Sequence, residues 1–255
     1  HETTAPVITR FEFSTDPDLS ERARIGLLVL ASDKTLEREL RQLTDAVDVD
    51  LYHARLTNET FVNAKSLAKM EEELPIAAGL LPEYLELNAI GYACTSGATI
   101  IGEDRVKAIM KESHPDIPSS NPLTAAKAAL KALGVERLGL LTPYTPEVTE
   151  AMQQRFGEAG IAITVVGSFY EENDILVGQI DPKSILKAAV ALGKSELCDG
   201  IFISCTSLRT AGIIDEAEAE LGKPVTASNH ALAWHLLRLV GIDDKLAGFG
   251  RLFNI

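Results

Sequence analysis

The chain repeats itself at a spacing of 111 residues. Leu138-Gly139-Leu140-Leu141 falls on Leu27 to Leu30, and Asp199-Gly200-Ile201-Phe202 falls on Asn88-Ala89-Ile90-Gly91. Tyr144 falls on Asp33, and Cys205-Thr206-Ser207 falls on Cys94-Thr95-Ser96. Asp33 stands 61 residues before Cys94, and Tyr144 stands 61 before Cys205. Pro118-Ser119-Ser120-Asn121 is echoed more loosely by Pro224 to Ser228-Asn229. A period this long is no solenoid unit. It predicts two similar lobes related by a pseudo-twofold axis.

Each copy alternates short apolar runs with amphipathic stretches. Ile25–Leu30, Val49–Leu56 and Ala89–Ala93 read as strands of the first copy. Leu138–Leu141, Ile161–Val166, Gly200–Ser204 and Pro224–Thr226 read as strands of the second. Leu36, Leu40, Leu43 and Val47 recur at helical spacing. Ala64–Leu74 is expected as a helix, and Glu103–Lys111 as one that ends before His114-Pro115. Thr206–Leu221 is expected as one helix running on from the second cysteine motif, and Asn229–Val240 as the last long one. Strands alternating with helices imply an α/β fold with parallel sheets covered on both faces. The expected organisation is one lobe of residues 22–121 plus the returning segment 229–255, a second lobe of 122–228, and an arm of 1–21.

A net charge of −13, from 24 basic and 37 acidic residues, argues against a nucleic-acid or anionic-membrane partner. No run approaches the roughly 18 apolar residues that span a bilayer. The first twenty residues hold no apolar stretch of the secretory kind. Three cysteines, an odd number, do not make a disulfide scaffold. A reducing, cytoplasmic setting is therefore expected, where a cysteine is either core or reagent. CxxC, HExxH, GxxxxGK[ST] and strand-linked GxGxxG are absent, so no metal or nucleotide cofactor is expected.

Ligands of open parallel sheets sit beyond the carboxyl ends of strands. Four loops fall there: Ala31–Lys34, Cys94–Gly97, Thr142–Thr145 and Cys205–Leu208. Facing lobes would bring them to one cleft with a cysteine from each side. Both cysteines open a Cys-Thr-Ser run at an expected strand-to-helix junction. There, free N–H groups and the helix dipole should favour thiolate and lower the pKa. The same N–H groups, with the hydroxyls of Thr95, Ser96, Thr206 and Ser207, suit a carboxylate. One such cysteine alone would be a core residue; two in register across a repeat point to function. Cys198 lacks a repeat mate and reads as structural. Tyr144 is either a ligand-binding hydroxyl or a surface turn residue. Asp33 could cap the following helix, line the site, or both. Asn173 by itself is a turn residue, and Arg209 is either an anion partner or a solvated charge.

Gly91-Tyr92-Ala93-Cys94-Thr95-Ser96-Gly97 and Ser204-Cys205-Thr206-Ser207-Leu208-Arg209 resemble the two cysteine motifs of the aspartate/glutamate racemase superfamily. The nearest branch is that of the maleate cis–trans isomerases and arylmalonate decarboxylases, with likeness from about Arg24 to Phe253. It includes Thr142-Pro143-Tyr144, Glu172-Asn173-Asp174 and Pro224 to Trp234. The resemblance implies two flavodoxin-like lobes, a homodimer or homotetramer, and no cofactor. It implies that Cys94 is the nucleophile of an isomerase, that Cys205 is the opposing acid or base, and that Tyr144 and Asn173 hold carboxylates. The decarboxylase branch typically keeps only the second cysteine, so Cys94 argues for an isomerase or racemase. Maleate isomerases usually carry asparagine in the first loop, where this chain has Asp33. That variant resembles a subgroup associated with ectoine utilisation. A decarboxylase of malonate-type acids and a ligand-binding relative without turnover are the alternatives.

Overall fold

The computed structural model describes residues 5–17 and 22–255. Of the arm expected over 1–21, residues 5–17 are exposed and without regular structure, and the remainder lies outside the described residues. Strands β1 (Ala23–Leu30), β2 (Val49–Leu56), β3 (Ala89–Ala93) and β4 (Ser119–Ser120) form one parallel sheet in the order β2-β1-β3-β4. Strands β5 (Arg137–Thr142), β6 (Ala162–Ser168), β7 (Gly200–Ile203) and β8 (Val225–Ala227) form a second, in the order β6-β5-β7-β8. The sequence repeat is thus a repeat of topology, and each order begins as flavodoxin-like sheets do.

Helices cover both sheets. They are α1 (Leu36–Thr44), α2 (Ala64–Gly79), α3 (Thr95–Ile101), α4 (Glu103–Ser113) and α5 (Pro122–Ala132), then α6 (Pro146–Glu158), α7 (Asp174–Val177), α8 (Pro182–Gly193), α9 (Ile214–Leu221) and α10 (Ser228–Leu239). Central strands read as unbroken apolar runs because they are buried on both faces: every residue of β3 and of β7 is buried. Helix starts follow local chemistry. Asn63 and Ser66 form a capping box on α2, and Asn121 accepts the N–H groups of Leu123 and Thr124 on α5.

Two helices depart from expectation. Helix α2 runs through Pro75 to Gly79, because Ala77 and Ala78 beyond it are buried in the core and that packing outweighs the lost hydrogen bond. The helix expected from Thr206 begins only at Ile214, for a reason given below. Helix α10 returns to the first sheet, packing against α1, α5, β3 and β4. Helix α5 turns Ala125 and Ala129 to that same core and Leu123, Ala126 and Leu130 to the core shared with the second sheet. The lobes are therefore interlocked rather than merely apposed.

Candidate active site

The carboxyl ends of the central strands of both sheets meet at one cavity. Cys94, Thr95 and Ser96 line it from the first sheet, and Pro143, Tyr144, Cys205 and Thr206 from the second. Its free interior is about 20 Å³, room for about one water. Two loops close it. Val62 N–H donates to Glu172 O at 2.8 Å, and Asp174 N–H donates to Thr60 O at 2.7 Å. The segment after β2 is thereby zipped to the segment after β6 by an antiparallel bridge, Phe61 to Asn173.

Cys94 ends an extended stretch and is the N-cap of α3. Its Sγ accepts the N–H of Gly97 at 3.3 Å. Residue 97 must be glycine, because a Cβ there would stand 2.2 Å from Tyr92 Oη and 3.1 Å from Cys94 Sγ. Gly97→Ala should lose roughly 1–3 kcal/mol of stability and displace Cys94. Thermal unfolding together with iodoacetamide labelling of Cys94 tests both.

Cys205 is built differently. No helix begins behind it, and its φ is +124°, a region that L-residues other than glycine rarely occupy. Its N–H donates to Ser228 Oγ at 3.0 Å, and Ser228 Oγ also meets Thr95 Oγ1 at 2.7 Å. One serine at the start of α10 therefore ties both cysteine loops together. Such strain is worth about 1–3 kcal/mol. Cys205→Gly should accordingly be the more stable of the pair Cys205→Gly and Cys205→Ala, the reverse of the usual order, as chemical denaturation would show.

The resting thiols are protonated, contrary to the expectation of lowered pKa values. Burial pushes Cys94 up to about 11 despite the Gly97 N–H and Ser96 hydroxyl. Burial and the charge of Asp174 push Cys205 well above the usual thiol range. A seven-residue helix supplies less than desolvation removes. Labelling of Cys94 in the resting enzyme should therefore keep climbing about ten-fold per pH unit from pH 8 to 10, and a plateau near pH 8 would contradict it. Cys198, fully buried beside backbone carbonyls of 192–195, should react more slowly.

Tyr144 is no surface residue: it is buried, lines the cavity, and its hydroxyl meets Ser204 Oγ at 3.0 Å. Asn173 is not among the lining residues. Its side chain accepts the Ile175 N–H at 3.0 Å and caps α7. The neighbour that lines the cavity is Asp174, which sequence reasoning missed although it follows directly. Ser32 Oγ and Ser207 Oγ donate to its two oxygens, at 2.5 and 2.8 Å, so Ser207 supports Asp174 rather than facing the cavity. Asp33 also stands behind the wall. Its Oδ1 accepts Thr35 and Leu36 N–H groups, capping α1, while Oδ2 is buried without a partner. Burial raises its pKa to about 6. Arg209 donates to Ile180 O at 2.9 Å and holds a loop. The remaining lining adds Asn58, Glu59 and Glu171 to an apolar floor of Leu30, Leu67, Met70 and Val177. Among the described residues no Lys, Arg or His lines the cavity. Among the described residues no group of His, Cys, Asp or Glu is arranged to hold a metal ion, and no helix is long and apolar enough to cross a membrane.

A sequence profile described as arylmalonate decarboxylase matches residues 96–253, more than half of the chain. The chain belongs to the arylmalonate decarboxylase family. The match to this family begins two residues past Cys94 and contains Cys205. The arylmalonate decarboxylase of Bordetella bronchiseptica is 33% identical over 140 residues, 54% of this chain and 58% of that protein. The maleate isomerase of Nocardia farcinica is 28% identical over 247 residues, 91% of this chain and 95% of that one. The structure of the Nocardia farcinica maleate cis–trans isomerase, as a cysteine-to-serine mutant with a covalently bound succinylcysteine intermediate, superposes with a TM-score of 0.84 at 25% identity. That likeness covers 91% of this chain and 98% of the other. Within the arylmalonate decarboxylase family this member is an enzyme of the two-lobed fold, with a cysteine from each sheet at one cavity.

Proposed function

We propose that this chain is a cofactor-independent isomerase or racemase of a small carboxylate, with Cys94 and Cys205 as its two reacting groups. The observation that carries the proposal is their placement: one thiol from each sheet, lining one closed cavity. The covalent succinylcysteine in a relative supports sulfur addition as available chemistry.

For an alkene substrate the steps balance as follows. Cys94 gives up its proton, for which Asp174 is the lining base whose charge acts on both thiols. Its sulfur bonds to one alkene carbon, and the Cys205 thiol protonates the other. Rotation about the new single bond follows. Cys205 thiolate then removes a proton from that carbon, the double bond re-forms, and Cys94 leaves as thiolate and recovers its proton. For an sp³ substrate, the same pair removes a proton from one face and returns one to the other. A substrate carboxylate is held by the α3 N-terminus with Thr95 and Ser96, and Tyr144 adds its hydroxyl. Entry requires the two zipped loops to part, since a free interior of about 20 Å³ is smaller than any such substrate.

Among the described residues no cationic side chain lines the cavity, and with Glu59 paired to Lys69 at 2.7 Å the carboxylates of Glu171 and Asp174 remain. This favours a substrate that carries its own positive group, an amino-acid-like carboxylate, over a plain dianion. Purified enzyme in D2O with maleate and with a panel of amino acids, followed by proton NMR and chiral chromatography, tests the proposal. Formation of the trans isomer, or solvent exchange at Cα with inversion, is expected without added cofactor. Binding with no turnover of any of them would overturn it. The 33% likeness to a decarboxylase favours a second reading, loss of CO2 from a malonate-type acid with Cys205 protonating the enediolate. CO2 release that survives Cys94→Ala would select it.

A further inference from the structure

Glu39 lies on α1, under the first sheet, yet its carboxylate is spent on the second. It is 6% exposed. One oxygen accepts the N–H groups of Thr210 and Ala211 at 2.9 and 2.8 Å. The other accepts Asn229 Nδ2 at 2.9 Å and the Thr210 hydroxyl at 3.3 Å. The same Asn229 nitrogen donates to Thr206 O at 2.9 Å. One turn earlier on the same helix end, Thr35 Oγ1 donates to Ser207 O at 2.9 Å. The loop 206–213 that follows Cys205 is thus held at Thr206, Ser207, Thr210 and Ala211 by groups outside it. The two N–H groups that a helix through this segment would direct along its axis to the Thr206 and Ser207 carbonyls are taken by Glu39 instead, while those carbonyls accept from Asn229 and Thr35, so no helix forms before Ile214.

The two halves of the repeat differ at this point. Cys94 has an ordinary extended φ of −147° and runs directly into α3. Cys205 has φ +124° and a loop with no helix behind it. Adding 111 to Glu39 gives Glu150, which is exposed and makes no equivalent clamp. A strained residue persists only where its surroundings over-determine it, and the surroundings of Cys205 are this carboxylate, Asn229 and Ser228.

We infer that Glu39 is a positioning residue: through Asn229 and the 206–213 loop it holds Cys205 in its strained backbone state, with the thiol turned into the cavity. This rests on the reading of Cys205 as a reacting group, but its test needs no turnover. Glu39→Gln removes one acceptor oxygen and sets an NH2 group against N–H donors. The loop should relax and Cys205, now 9% exposed, should become accessible. Iodoacetamide labelling with peptide mapping, at 25 °C and pH 8, reads Cys205 against Cys94 in the same molecule. The Cys205-to-Cys94 rate ratio should rise about five- to ten-fold, with unfolding still a single transition. A general loosening of the fold would raise both rates together and leave the ratio unchanged, and that result overturns the inference. If Glu39→Gln does not fold, Asn229→Ala decides in the same way, since it removes the link between Glu39 and Thr206 O. An unchanged ratio in that variant overturns the inference as well. Failure of turnover by the wild type on every substrate would sink the proposed function yet leave this ratio measurable.

Discussion

Replacing Cys94 by alanine should lower kcat/KM for isomerisation or racemisation by at least roughly 10³-fold, and Cys205→Ala should do the same. The two losses should not add, because each thiol is useless without the other: the double variant is expected near the singles. Folding should survive. Through its sulfur Cys94 makes weak contacts with the Gly97 N–H and the Ser96 hydroxyl, and α3 keeps its backbone ladder. Steady-state assays with proton NMR detection, beside circular dichroism to confirm the fold, measure both. The experiment also separates reaction classes. In the addition and two-base routes Cys94 touches substrate, so its loss is fatal. In decarboxylation the enediolate needs one proton, from Cys205, and Cys94→Ala should retain most activity. A Cys94→Ala enzyme with near wild-type turnover would therefore remove the isomerase and racemase readings and leave the lyase.

The frame was legible because the repeat is carried by buried strands. β3 and β7 are buried and apolar throughout, and β1 and β5 are buried beyond Arg24 and Arg137 near their starts, so their registers survive in the sequence, and strand ends locate cysteines without any side-chain detail. What the sequence hid are tertiary effects. Nothing local to 206–213 says that Glu39, more than 160 residues earlier, will take its N–H groups, so the segment reads as helix. Asn173 and Asp174 are adjacent polar residues, and which of them caps α7 and which turns to the cavity depends on the bridge to Thr60. Ser228-Asn229 was visible as an echo of Ser120-Asn121, but Asn121 only caps a helix while Ser228 and Asn229 hold the second cysteine loop. The thiol pKa went the other way because a helix terminus is a local property and burial is not.

Two carboxylates near the cysteines should answer differently to the same chemical change. Asp174 lines the cavity and its charge acts on both sulfurs. Asp174→Asn keeps an acceptor for Ser207 or Ser32 and removes that charge. The ratio of kcat/KM for maleate to that for an amino-acid substrate should then rise roughly ten-fold or more, the worth of one charge-assisted hydrogen bond at about 1.5–3 kcal/mol. Labelling of Cys94 and Cys205 at pH 8 should quicken as their pKa values fall. Asp33 should behave otherwise. Asn in its place still accepts the Thr35 and Leu36 N–H groups, since asparagine caps about as well. The partnerless Oδ2 and the burial that raises its pKa from 3.8 to about 6 make the ionised form a liability. A folded pKa above the unfolded one means that the native state binds the extra proton between these values. The contribution of Asp33 to stability is then fully present below about pH 4 and is lost as pH rises to about 6, by up to roughly 3 kcal/mol at 1.36 kcal/mol per unit. Asp33→Asn should remove that decline and raise stability at pH 7 by about 1–3 kcal/mol, with substrate preference unmoved. Urea unfolding from pH 4 to 7 and the two-substrate assay decide it. A preference shift in Asp33→Asn with none in Asp174→Asn would exchange their roles and put Asp33 against the substrate.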